Sequence, residues 1–481
     1  MFRQVSSYMI ANIVSAMFGF ASVVLFTRIL TPQEYGIYII GFSVAAMIST
    51  VLFGWIKASV MRITAEEGAA DVRLTTAYSC VFLALLIPIL MGGANIFAPE
   101  ASEYLLPAII LAFTIGFFEF YLEIFRARQQ TTVYMWATIV RAGLALAFSC
   151  ILVMVFDFGG RGLLISIALS YMLAAALYSV QLWRRPLHPF DTGILKEMLR
   201  FGLPMAFSGS IFMLQMILDR LVVAAYLGEQ AAGVYGASAD LVRQVILFPG
   251  VAIGSAVVPI AIRLMTQGNR TAVDRHMLDS MELLLGVLAP AAAGMAIVAA
   301  KLSGLILGEE FHEAAASLIP IIVFAWLFRS VSYQFVHVSF QLDKKPALMG
   351  IQGAVILAAN VAAMSILVPR FQLLGVAWSM LISEAGGVIV GYFLSRKAYR
   401  LPLEIWPICK VGLATAIMVV PTYFVDRNFQ GERSLELALP VATGILAYAA
   451  STFALDVAGI RTKLIGMMRR KSGISTQPEE A

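Results

Sequence analysis

Short polar breaks divide this chain into runs of mostly apolar residues, each about twenty residues or longer, near 7–28, 36–56, 75–97, 103–125, 132–156, 162–183, 203–226, 232–258, 281–306, 314–340, 347–369, 373–395, 405–425 and 436–457. About twenty apolar residues cross the roughly 30 Å hydrocarbon core as a helix, whereas a membrane-barrel strand needs only about ten alternating ones. These runs are long and continuous, so the expectation is an all-α polytopic membrane protein with about 14 transmembrane helices. Composition agrees: 60% of the 481 residues are hydrophobic and only 13% are charged, far from the balance of a soluble domain. The first run is too long for a signal-peptide core and leads into another span without a typical cleavage site, so it is read as retained.

A nine-residue pattern occurs twice. Leu30-Thr31-Pro32-Gln33-Glu34-Tyr35-Gly36-Ile37-Tyr38 returns in loose form 197 residues later as Leu227-Gly228-Glu229-Gln230-Ala231-Ala232-Gly233-Val234-Tyr235. That offset lays helices seven to twelve over helices one to six and leaves two appended at the end. A second match, Leu105-Leu106-Pro107 with Leu318-Ile319-Pro320, has a longer offset, which places insertions in the loop from Arg263 to Met281. The expected organisation is a six-helix bundle over 1–184, a linker over 185–201, a repeat bundle over 202–397, two extra spans over 398–460 and a tail over 461–481. Six is an even number, so the halves share one orientation, and such halves can open to one side of the bilayer and then the other. Carrying something across is the first hypothesis.

Lysine and arginine counts orient the chain. Alternate loops and the two termini hold 23 of the 34 basic residues, among them Lys57, Arg62, Arg126, Arg184, Arg185, Lys344, Lys345, Arg396 and, in the tail, Arg461, Lys463, Arg469, Arg470 and Lys471. The opposite loops carry Glu100, Glu103, Glu309, Glu310 and Glu313 instead. Both termini are therefore expected in the cytoplasm. In the linker, Pro186 and Pro189 stop helix six. Beyond them Ile194, Leu195, Met198 and Leu199 alternate with Lys196, Glu197 and Arg200 at helical spacing, which predicts a short helix in the membrane interface, either a passive tether or a guide for rocking halves. The tail is polar, and its basic run suits anionic lipid.

Ionisable residues inside spans are costly and usually face the bundle interior. The basic ones are Arg141, Arg220, Arg243 and Arg329, with Arg28 near the outer end of helix one; the acidic ones are Glu119, Asp219, Asp240 and Glu384. Asp240 and Arg243 can pair along one helix face. Asp219 and Arg220 are neighbours that point about 100° apart, so each needs a partner elsewhere, across helices or in a water-filled cavity. Arg141 and Arg329 have no acid within four residues and serve either a ligand or an interhelical salt bridge. Arg28 either snorkels or faces the cavity, and Glu123 links Glu119 to Arg126 as the lower end of a surface network. Guanidinium groups suit phosphate, since they are permanently charged and offer paired donors; the acids then serve as counter-charges or ion-coupling groups. The three cysteines, Cys80, Cys150 and Cys409, and the four histidines, His188, His276, His312 and His337, show no metal-ligand or catalytic spacing. Neither an enzyme nor a cofactor or nucleic-acid partner is expected.

At Thr27-Arg28-Ile29 together with the first motif, at the second motif, and at Leu305-Ile306-Leu307-Gly308-Glu309-Glu310-Phe311-His312-Glu313-Ala314-Ala315, the chain resembles the bacterial polysaccharide transport family. These are the Wzx-like flippases of lipid-linked oligosaccharides within the multidrug/oligosaccharidyl-lipid/polysaccharide exporter superfamily. The resemblance spans nearly the whole chain. It implies two bundles around a V-shaped central cavity in the cytoplasmic (inner) membrane. It also implies a substrate of undecaprenyl-diphosphate-linked oligosaccharide for O-antigen, capsule or exopolysaccharide, with a polysaccharide polymerase and a chain-length regulator as partners. The cationic cavity it implies would correspond in kind to Arg28, Arg141, Arg220, Arg243 and Arg329, although the four acids inside spans, equal in number to the four arginines there, depart from a simple charge trap. A drug/cation antiporter of the same superfamily and a peptidoglycan lipid-precursor flippase are the alternatives. A membrane glycosyltransferase or polymerase needs larger loops than this chain has.

Overall fold

The computed structural model describes residues 2–65, 71–97, 102–184, 189–429, 431–459 and 461. Among these residues the chain is helical, with no strand. In order, the helices are α1 (Phe2–Ile29), α2 (Pro32–Ala65), α3 (Arg73–Ala84), α4 (Leu86–Phe97), α5 (Ser102–Ala127), α6 (Thr131–Cys150), α7 (Gly159–Trp183), α8 (Thr192–Thr266), α9 (Arg270–Ile297), α10 (Ala299–Ile306), α11 (Glu309–Val331), α12 (His337–Leu342), α13 (Ala347–Ser395), α14 (Ile405–Asn428) and α15 (Arg433–Leu455). π-helical turns extend α6 over Ile151–Val155 and join α11 to α12 over Ser332–Val336. Helices are what apolar runs must form in lipid, because every backbone N–H and C=O is then satisfied within its own segment.

Among the described residues twelve helical stretches are long and apolar enough to span a bilayer, and the chain is a multi-pass membrane protein. Two stretches exceed any single crossing: α8 has 75 residues and α13 has 49, about 110 Å and 75 Å at 1.5 Å per residue. Each contains one non-helical residue, Gly228 at φ 85° and ψ 177° in α8 and Gln372 at φ 50° and ψ −125° in α13. Glycine reaches that left-handed region at no steric cost, whereas glutamine there is strained.

The helices pack as two compact units. The first comprises Met1–Leu241 with Leu307–Phe311 and Val368–Val376. In it α5 lies against α2 and α7, and α6 packs on α7 and α1. Its core is aromatic, with Phe53 edge-on to Phe113 at 5.1 Å and Phe118 edge-on to Tyr171 at 5.3 Å. The second unit comprises Val242–Ile306, His312–Leu367 and Ala377–Ala481. In it α14 packs on α15 and α9 around Val411, Ala414 and Val457.

The amphipathic linker stretch forms the first turns of α8 and is continuous with the span that follows. Asp191 caps those turns, accepting from the Gly193 N–H at 2.6 Å. Met198 is fully buried, packed with Ile194, Leu195 and Leu199 in the core of the first unit, while Lys196, Glu197 and Arg200 stay exposed. Gly202 seats against the Trp55 carbonyl, and Ser59 donates to the Met198 carbonyl at 2.7 Å. The apolar face of this stretch is therefore used against α2. Glu100, Arg185, Pro186, His188, Lys463, Arg469, Arg470 and Lys471 lie outside the described residues.

Candidate functional site

The Gly228 turn folds α8 back on itself, so that Asp219 and Arg220 on its first limb face the second. Arg220 Nη2 contacts Asp240 Oδ1 at 2.6 Å, and the Tyr235 hydroxyl donates to Asp219 Oδ2 at 3.2 Å. The two sequence neighbours thus find separate partners across one turn. Asp240 thus has Arg220 as a partner across the turn, beyond the neighbour Arg243 expected from helical spacing. The arginine side chain is 11% exposed and the aspartate 8%.

In the second unit, Arg329 of α11 meets Glu384 on the second limb of α13. Its Nε and Nη2 reach Glu384 Oε1 at 2.8 and 2.7 Å, and both side chains are 1% exposed. The guanidinium also lies 4.9 Å from the centre of the Trp326 ring. Just below, at the π-helical turn, Gln352 Nε2 donates to the Gly387 carbonyl at 2.9 Å and to Ser332 Oγ at 3.4 Å. Of the two readings open for Arg329, the geometry selects the interhelical salt bridge.

Arg141 differs from both. It lies ten residues into α6 from Thr131, about 15 Å along the helix. Its guanidinium stacks 4.7 Å from the centre of the Tyr171 ring, which is itself braced by Phe118. Among the described residues it has no carboxylate within salt-bridge distance, and it is half-buried. Arg28 is exposed in the last turn of α1 and makes further contacts.

Glu119 pairs with Lys57 at 3.1 Å, and Glu123 pairs with Arg126 at 2.9 Å, whose Nη2 donates to the Tyr134 hydroxyl at 2.9 Å. Sequence reasoning missed Lys57 as a partner because it assigned Lys57 and Arg62 to a loop. In the structure α2 continues to Ala65, and the apolar residues after Lys57 are the signal for that. Tyr171 was also missed, since nothing in its sequence neighbourhood marks it. Outside the spans, Tyr399 donates to Asp274 at 2.5 Å, and burial together with that bond holds its phenol above the ordinary range. Among the described residues, no three histidine, cysteine, aspartate or glutamate side chains are grouped to hold a metal ion.

The second unit also contains a cavity of about 580 Å³ between α9, α14 and α15. Met295, Met418, Val441 and Ile445 give it an apolar lining, with Thr422 and Tyr448 among its few polar groups.

Residues 25–316 match the family described as polysaccharide biosynthesis protein. The chain is 22% identical over 298 residues to the teichuronic acid biosynthesis protein TuaB of Bacillus subtilis (strain 168), covering 59% of this chain. It spans 60% of the length of that relative. Among solved structures, it resembles the lipid II flippase MurJ in an inward closed conformation, with a TM-score of 0.77 at 14% identity over 93% of this chain and 98% of the other. It also resembles a multidrug resistance MATE family transporter of the MOP superfamily in its inward-facing conformation, with a TM-score of 0.68 at 18% identity over 81% and 97% of the two chains. At such identities the likeness is one of fold.

Proposed function

The chain belongs to the polysaccharide biosynthesis protein family, and from that premise we propose that it is a flippase rather than an enzyme. It moves undecaprenyl-diphosphate-linked oligosaccharide repeat units across the cytoplasmic (inner) membrane by alternating access, for assembly of a surface polysaccharide. The observation that carries this reading is Arg141. A guanidinium held within an apolar span, stacked on Tyr171 and without a carboxylate partner among the described residues, is a fixed positive charge available to an anion. Diphosphate matches it in charge and in paired acceptors. Arg220 is the second anion ligand, released from Asp240 by the substrate. The apolar cavity beside α14 and α15 suits a polyprenyl chain, and the name of the Bacillus relative supports a polysaccharide destination over a drug.

The membrane topology belongs to the same proposal. α8 and α13 each form two crossings, divided at Gly228 and Gln372, which makes fourteen spans. An even count leaves both termini on one side, and the basic loops assign that side to the cytoplasm. The repeats are then 1–184 and 202–397, joined by the linker, with 398–460 appended.

Deleting the gene is the direct test. The expected result is loss of surface polysaccharide with undecaprenyl-diphosphate-linked repeat units accumulating on the inner leaflet, both reversed by the intact gene and not by Arg141→Ala at equal membrane levels. Normal polysaccharide with altered sensitivity to cationic drugs would replace this reading with the antiporter. Blocked peptidoglycan synthesis would replace it with the lipid-precursor flippase.

A further inference from the structure

A separate cavity, of about 570 Å³, opens in the first unit where α2 and α7 begin. The chain between α6 and α7 shapes it. The π-helical turn over Ile151–Val155 closes with a bond from the Phe156 N–H to the Ile151 carbonyl at 3.3 Å, and the Phe158 N–H donates to the Leu152 carbonyl at 3.0 Å. Between them Asp157 stands at φ 56°, and Gly159 follows at φ 54°. Aspartate is one of the few side chains that tolerate this left-handed region, and glycine meets no cost there. Distortions of this kind gather at ligand sites. Here they set Asp157, Phe158 and Arg161 in the cavity wall, together with Gln33 and Glu34 of α2.

Glu34 is held in place before any ligand arrives. The Thr31 N–H and hydroxyl each donate to its Oε2 at 3.0 Å, and the Glu34 N–H donates back to Thr31 Oγ1 at 3.3 Å, a reciprocal cap at the start of α2. A side chain on Gly160 would strike the Glu34 carbonyl, and one on Gly159 would strike Glu34 Oε1. Two glycines in succession thus let α7 begin against α2 and leave Glu34 Oε1 at the wall. A carboxylate fixed through one oxygen presents the other at little cost in ordering.

The charged groups of the lining are two carboxylates, Glu34 and Asp157, and one guanidinium, Arg161, with the Gln33 amide beside them and Ile37 and Ile165 as apolar wall. Phe158 lines the mouth with half its surface exposed, and its ring centre lies 6.1 Å from that of Phe156. Carboxylates need donors, whereas the guanidinium and the amide N–H groups need acceptors, so a matching ligand carries both at close spacing. Two acids to one arginine repel a diphosphate, and the arginine repels an amine. A neutral polyol satisfies both conditions, because adjacent ring hydroxyls match the paired atoms of a carboxylate or guanidinium and a C–H face can lie on an aromatic ring. We propose that this cavity is a carbohydrate subsite for one pyranose unit of a glycan, at the extracytoplasmic end of the first unit. The sidedness rests on the flippase reading above, as does the identity of that glycan as the one being moved; the sugar chemistry of the wall does not.

The test applies the full-length protein, in lipid nanodiscs, to an array of oligosaccharides built from neutral hexoses and N-acetylhexosamines. Retention on a subset of the array is expected. Asp157→Asn keeps the shape and tolerates the left-handed backbone while losing the charge, and it should weaken that retention about tenfold. Arg161→Lys keeps the charge but loses the paired donors, and should weaken it by a similar factor, which leaves the test standing if the Asp157 variant folds poorly. Arg141→Ala lies outside this cavity and should hold the same glycans as the unaltered protein even where transport is lost. Failure to retain any glycan, or retention that neither wall variant weakens, would overturn the subsite and leave the flippase reading untouched. Glycan binding lost with Arg141→Ala would move the sugar's site away from this wall and overturn it too. Binding of tetraphenylphosphonium in place of glycans, weakened by Asp157→Asn, would assign the cavity to organic cations instead.

Discussion

The Arg329–Glu384 and Arg220–Asp240 pairs both lie within spans of this protein, and they are built for different ends. Arg329–Glu384 is fully enclosed, makes two contacts to one oxygen and is covered by Trp326. Arg220–Asp240 rests on one short contact and keeps about a tenth of its surface open. Coulomb attraction alone does not tell them apart. Access does, because a pair that exchanges partners with a ligand must let that ligand approach, whereas a sealed pair can only be broken by unfolding its surroundings.

The comparison breaks most readily at the enclosed pair. Removing one member of a buried ion pair strands the other charge, at a cost of about 3–5 kcal/mol. Arg329→Ala and Glu384→Ala should each lower the thermal unfolding midpoint sharply and deplete the protein from membranes. The double change Arg329→Met with Glu384→Leu should recover most of that loss, since apolar residues of similar volume replace such pairs at little net cost. If Glu384→Ala instead left stability intact and abolished transport, the pair would move into the exchangeable class and the contrast would collapse.

The open pair should respond in the opposite sense. Asp240→Asn keeps the shape and a hydrogen-bond acceptor for Arg220, so the cost in stability should stay near 1–3 kcal/mol with membrane levels close to normal. On the proposed reading, transport should fall much further than stability does, because Arg220 then lacks the carboxylate that substrate is proposed to displace. Measuring initial flipping rates alongside unfolding midpoints for Asp240→Asn and Glu384→Gln would place the two pairs on opposite sides of a plot of one against the other.

The spans were legible because lipid leaves the backbone no alternative to helix, so an apolar run of sufficient length is enough. The doubled motif was legible for a related reason: Gly36 and Gly233 are small where two backbones touch, and that requirement survives when neighbouring side chains change. Partner identities were harder to read. Local spacing pointed to Arg243 for Asp240 and gave no sign of Arg220, which the Gly228 turn brings to Asp240 through tertiary geometry. Arg329 and Glu384 meet across 55 residues, beyond any local rule. Lys57 was read as loop because a charge interrupts the apolar run, although the helix continues for two more turns.

Lys57 supplies the mildest test and a calibration for the others. Its pair with Glu119 is longer than the deeper ones, at 3.1 Å, and the side chains are 44% and 37% exposed. Water and salt screen such a pair, so Lys57→Ala or Glu119→Ala should change stability by no more than about 1 kcal/mol, and less at high ionic strength. Across the three pairs every contact stays within salt-bridge distance while exposure falls from two-fifths to a tenth to almost nothing. A loss at Lys57→Ala as large as at Arg329→Ala would mean that this end of α2 is sealed from solvent in the membrane, and exposure could no longer be what separates the exchangeable pair from the structural one.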